Sequence, residues 1–179
     1  MPCSTVPTMK SIFMLGMLGL FGGEKAWALK PGDAAPSFTS RDQEGREVKL
    51  SDLKGKWVLL YFYPKDDTPG CTKQACNLRD GFARYKKSGV AVYGISTQSA
   101  ESHRKFREKY HLPFDLLVDE EGTLGKAFDI GKMPIVGLYK RQSVLIDPEG
   151  RIATKLDDVD PGTHHEDILK VVNSAKPQN

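Results

Sequence analysis

The clearest pattern along the chain is the run Trp57 to Tyr63, WVLLYFY, an unbroken apolar and aromatic stretch bounded by Gly55-Lys56 and Pro64. Continuous apolar character over this length predicts a strand covered on both faces, at the centre of a sheet. Behind it, Ala75, Leu78, Phe82 and Tyr85 recur at spacings of three, four and three, predicting one helical stripe that ends at Ser88-Gly89. Strands follow at Val90 to Ser96 and Phe114 to Val118, with a helix between them at Ala100 to Tyr110 and a short helix at Gly122 to Phe128. Leu138 to Ile146 and Ile152 to Leu156 flank the turn Asp147-Pro148-Glu149-Gly150, and a last helix runs from His164 to Asn173. An opening hairpin is predicted around Asp42 to Gly45, between Phe38-Thr39-Ser40 and Glu47 to Leu50. This order gives an α/β sandwich with a central mixed sheet flanked by helices, and a thioredoxin-like arrangement fits it.

The first 28 residues differ from the rest. An apolar run from Ile12 to Phe21 follows Lys10 and precedes Ala26-Trp27-Ala28, with small residues at the two positions a signal peptidase requires. The run is shorter than the roughly 20 residues of a spanning helix. The pattern predicts a secretory signal in residues 1–28, cleaved after Ala28, and one globular domain over residues 29–179, exported to the periplasm, with an uncleaved anchor or a buried helix as other readings.

With 179 residues there is room for one ordinary core. Charge is balanced, 26 Lys plus Arg against 23 Asp plus Glu for a net +3, and no basic run makes a phosphate-tracking stripe, so nucleic acid is not expected as a partner. The three cysteines are too few for a disulfide scaffold and have no C-x-x-C spacing for a zinc site. Neither metal nor organic cofactor is called for. Adjacent His164 and His165 point to different sides of a helix and read as a capped, solvated helix start, and His103 reads as a partly buried face residue. Asp66 and Asp67 read as loop carboxylates.

Cys3 falls within the predicted leader, which leaves Cys71 and Cys76. Pro69 suits the first helical position and Thr68 the N-cap, so Cys71 falls in the first turn, where unpaired amides and the helix dipole favour an anion such as a thiolate. Five residues on, Cys76 stands about 140° round the helix, with its Cα roughly 8.6 Å away. A disulfide does not span that distance, so a static staple conflicts with an intact helix and a bond requires the helix to unwind. A structural disulfide and a dithiol exchanger remain as other uses for the pair.

Pro64, Thr68 and Cys71 match the P-x-x-x-T-x-x-C pattern, and with Cys76 five residues later this stretch resembles the peroxiredoxins, in particular the bacterioferritin-comigratory-protein or peroxiredoxin Q branch. The likeness extends from about Lys30 to Val172 through Tyr93 to Ser96 and Arg141 to Gly150. It implies that Cys71 is the peroxidatic cysteine, oxidised to a sulfenate, and that Cys76 resolves it as an intramolecular disulfide. It further implies that Thr68 bonds the thiolate and the peroxide, that Pro64 shields the sulfur, and that Arg141 stabilises thiolate and transition state. The expected enzyme is a peroxidase of hydrogen peroxide and alkyl hydroperoxides, recycled by a thioredoxin-like dithiol donor, acting as a monomer or weak homodimer without a stable membrane span. The other readings are an exported thiol–disulfide oxidoreductase acting on proteins and a non-enzymatic thioredoxin-fold binding domain.

Overall fold

The computed structural model describes residues 29–175, so the expected leader at residues 1–28 lies outside the described residues. A seven-stranded mixed sheet forms the centre. Its strands in chain order are β1 (Thr39–Asp42), β2 (Glu47–Lys49), β3 (Trp57–Phe62), β4 (Val90–Ser96), β5 (Asp115–Val118), β6 (Gln142–Ile146) and β7 (Ile152–Leu156). Across the sheet they lie in the order β2-β1-β5-β4-β3-β6-β7. The helices are α1 (Pro69–Asp80), α2 (Phe82–Ser88), α3 (Ala100–Lys109), α4 (Thr123–Ala127) and α5 (His164–Ser174).

Every residue of β3 is buried, as a strand covered on both faces requires. The period of two sorts its side chains into two cores. Trp57, Leu59, Tyr61 and Tyr63 join Ala75, Leu78, Tyr85 and Ile168 on one face, whereas Val58, Leu60 and Phe62 join Leu117, Phe128 and Tyr139 on the other. β3 pairs in parallel with β4 and antiparallel with β6, and β4 in parallel with β5. The carboxyl ends of the three parallel strands therefore share one sheet edge, where α/β folds place their ligands.

Two boundaries depart from the sequence expectation. The stripe from Ala75 to Tyr85 is split into two helices at Gly81, where an added Cβ would stand 2.7 Å from the ring of His165. α5 crosses there, and the packing of its histidine needs the bare backbone. The strand expected from Leu138 begins only at Gln142, because Tyr139 instead forms a short bridge with Lys132. Arg141 is thereby left just ahead of β6, and Phe62 is paired with Gln142, so Arg141 stands beside the carboxyl end of β3.

Because β3 supplies both cores, Leu59→Ala and Leu60→Ala are each expected to lower the unfolding free energy by about 3 kcal/mol. Urea unfolding checks this, and a loss confined to one of the two would show that one face is not a packed core.

Candidate active site

At the carboxyl end of β3 the chain leaves the sheet through Tyr63 and Pro64 and enters α1 at Pro69. Thr68 occupies the N-cap in extended conformation with Pro69 at the first helical position, as the sequence predicts, and its carbonyl accepts the amide of Thr72 at 2.8 Å. Its side chain does not cap the helix. The hydroxyl donates to the carbonyl of Lys65 at 3.1 Å, so Thr68 closes the preceding loop and does not bond the sulfur.

Cys71 sits in the first turn of α1, 2% exposed, packed in the same core as Tyr61, Tyr63 and Ala75. Above it lies the Arg141 guanidinium, whose Nη2 is 3.6 Å from the Cys71 sulfur. A fixed cation and the amino-terminal turn of a helix thus face one thiol. Gly70 makes room for the arrangement, since a Cβ there would stand 3.0 Å from Arg141 Nη2. Cys76 is half-buried on the same unbroken helix, and both thiols are free. Pro64 is half-buried at the mouth of the loop. Pro64, Thr68, Cys71 and Arg141 are therefore brought to one edge, while Cys76 is held apart from Cys71 by the helix between them.

Two polar clusters support this edge, and the sequence reading underrated both. Asp66 is not a solvated loop carboxylate but is 6% exposed and accepts from the hydroxyls of Tyr63 and Ser102, each at 2.6 Å. Its other contact is His103 Nδ1 at 2.8 Å, whose Nε2 faces the carbonyl of Leu117 at 3.3 Å. His103 is fully buried rather than half-buried. Burial pushes the Asp66 carboxyl up, but the hydrogen bonds and charge of His103 and the bonds from Ser102 and Tyr63 together bring it below its ordinary value. Neighbouring Asp67, at φ +57°, pairs with Lys109 at 2.6 Å and Tyr110 at 2.5 Å. Two consecutive aspartates thus bolt the loop before α1 to α3. The signal available in sequence was the Ser102-His103 pair on the helix facing that loop, but its partner cannot be read from spacing.

On the other side, Gln74 is fully buried and accepts from Arg141 Nη1 at 2.5 Å, while its Nε2 lies 3.1 Å from His164 Nδ1. His164 is fully buried, contrary to the solvated helix start expected of it. Removal of the imidazolium from water pushes its ionisation down to about 3, only partly opposed by Asp167, so the ring is neutral. One turn on, Asn77 donates to the carbonyl of Gly162 at 2.7 Å and accepts the amide of His165 at 3.0 Å. α1 is therefore held by α5 as its loop is held by α3.

The geometry defines a thiol-based redox enzyme of thioredoxin-like fold, and comparison with known proteins gives its kin. Residues 31–155 match the AhpC/TSA family, and the chain belongs to it. A chloroplastic peroxiredoxin Q of Sedum lineare is 44% identical over 146 residues, covering 81% of this chain and 78% of that protein. A putative peroxiredoxin bcp of Coxiella burnetii is 43% identical, covering 79% of this chain and 97% of that one. Among solved structures, the peroxidoxin BcpB of Mycobacterium tuberculosis superposes with a TM-score of 0.76 at 31% identity, covering 83% of this chain and 99% of that one. Within the family, the chain is a peroxiredoxin of the Q/bcp branch, a thiol peroxidase. The expected periplasmic location does not stand: the Sedum relative is chloroplastic and the Coxiella one a bacterial peroxiredoxin, and neither supports it. A short apolar run followed by small residues does not by itself specify a compartment. Among the described residues no helix is long and apolar enough to cross a membrane.

Asp66, with its ionisation depressed in the fold, contributes stability that is present above the unfolded carboxyl value of about 3.9 and is lost as pH falls through the lower folded value. Asp66→Asn is expected to unfold about 3 kcal/mol more easily at pH 7 and pH 5, with the gap narrowing below about pH 4. Urea unfolding of both proteins across that range measures it. Gly70→Ala is expected to keep or raise the melting temperature, since alanine suits a helix better, yet to slow peroxide reaction about fivefold by displacing Arg141. Calorimetry and stopped-flow kinetics on one preparation separate the two effects.

Proposed function

We propose that the protein reduces hydrogen peroxide and small alkyl hydroperoxides at Cys71, with Cys76 as the resolving thiol and a thioredoxin-like dithiol as electron donor. The observation that carries this reading is a thiol only 2% exposed yet 3.6 Å from a guanidinium. A sulfur so enclosed is reached by a small hydroperoxide, not by a protein disulfide, which disfavours a protein-directed oxidoreductase.

The Cys71 thiolate attacks the outer peroxide oxygen, its electron pair forms the S–O bond, and the O–O bond breaks. The leaving oxygen departs with that bond's electrons and takes a proton to become water or an alcohol. Arg141 stabilises the charge as it moves from sulfur to the departing oxygen. Thr68 serves this step by turning its hydroxyl from the Lys65 carbonyl toward the peroxide, and Pro64 keeps water from the sulfur. The thiol of Cys76 then attacks the Cys71 sulfenic acid, forming the disulfide and releasing water. The two Cα atoms, about 8.6 Å apart on an ideal helix, come within bonding reach only when α1 unwinds between them. A dithiol donor reduces the disulfide, becomes oxidised itself, and lets α1 re-form.

Reduced full-length protein mixed with one equivalent of hydrogen peroxide is expected to give an internal Cys71–Cys76 disulfide by peptide mass spectrometry. Cys76→Ser is expected to hold a sulfenate on Cys71 instead. Free thiols at both positions after a slight excess of peroxide would overturn the reading.

A further inference from the structure

The mechanism above leaves one buried histidine without a task. His164, in the first turn of α5, is fully buried, and its Nδ1 lies 3.1 Å from Gln74 Nε2. Its Nε2 is buried without a hydrogen-bond partner. The ring packs edge-on against Tyr61, with centroids 6.3 Å apart. A buried unpaired nitrogen has a cost, and its retention asks what the opposite nitrogen does.

The answer lies in the amide of Gln74. Arg141 carries only donors, so the Gln74 face toward it must be the carbonyl oxygen. The amide nitrogen then points to His164 and must find an acceptor there. Only a neutral ring with its proton on Nε2 offers one at Nδ1, and the suppressed ionisation of this histidine keeps the ring neutral. With the amide so fixed, its oxygen holds one arm of the guanidinium, and the other arm stands over the Cys71 sulfur.

We infer that His164 is a positioning residue for the peroxidase reaction, locking the Gln74 amide in the one orientation that holds Arg141 over Cys71. This rests on the roles of Cys71 and Arg141 proposed above and adds α5 to the machinery, through a contact that touches neither substrate nor sulfur.

Two replacements separate this from a packing role. Leucine fills the site but offers no acceptor, whereas the asparagine side-chain oxygen reproduces the acceptor near Nδ1 and fills the site less well. In full-length protein, His164→Leu is expected to slow the second-order reaction with hydrogen peroxide about tenfold, the loss of one buried hydrogen-bond partner. His164→Asn is expected to recover most of that rate. The loss passes through the amide, so His164→Leu combined with Gln74→Ala is expected to be no slower than Gln74→Ala alone. Circular dichroism and urea unfolding identify variants that fail to fold, and in wild-type protein long-range proton–nitrogen NMR is expected to find the His164 proton on Nε2.

A His164→Leu protein as fast as wild type, an asparagine variant slower than the leucine one while folded, multiplying losses in the double variant, or a proton on Nδ1 would each overturn the assignment. If wild-type protein itself leaves peroxide unreduced, the proposed chemistry fails instead, and the NMR result still reports on the hydrogen bond.

Discussion

Everything at the active edge depends on the integrity of one helix. While α1 stands from Pro69 to Asp80, Cys71 is packed into the core beneath Arg141 and Cys76 faces another direction on the same helix. A helix fixes their separation at about 8.6 Å, too far for a disulfide. The same geometry that sets Cys71 beneath Arg141 therefore keeps it from Cys76. On the proposed mechanism, activation and resolution need different shapes of one segment, and catalysis alternates between them.

The surroundings of α1 fit this demand. The loop before it is tied to α3 by Asp66 and Asp67, through buried and charged contacts that do not include α1 itself. The body of α1 is tied to α5 by Gln74 and Asn77. The proposed unwinding between Cys71 and Cys76 gives up the Gln74 tie, while the Asn77 tie and the loop's ties to α3 can persist and leave the entry loop as a fixed hinge. The polar ties are also directional: each asks for a particular donor or acceptor, which specifies a single geometry for the reduced helix.

Much of the fold was legible because it rests on period. The unbroken apolar run of β3 specified a strand covered on both faces, and Thr68-Pro69 specified where α1 begins. Pro64, Thr68 and Cys71 were reachable because a motif with fixed spacing names them, and Arg141 because the family resemblance extends over Arg141 to Gly150; the structure gathers them at one edge. What the sequence hid were groups whose role depends on a distant partner. Asp66 looks like any loop aspartate until α3 brings Ser102 and His103 to it, and His164 looks like a solvated helix start until Gln74 meets it from α1. The break at Gly81 was hidden for the same reason, since it is set by the ring of His165. Thr68 shows the limit of reading by residue type: a favourable N-cap residue stands at the N-cap, but its hydroxyl serves the loop.

The claim that α1 must open for Cys71 and Cys76 to join is tested most directly by hydrogen exchange on the α1 amides, compared between reduced full-length protein and protein oxidised with one equivalent of peroxide. The account predicts slow exchange from Thr72 to Leu78 in the reduced form and fast exchange there after oxidation, with β3 and α3 unchanged. A Cys71–Cys76 disulfide in protein whose α1 amides stay as protected as before would contradict it.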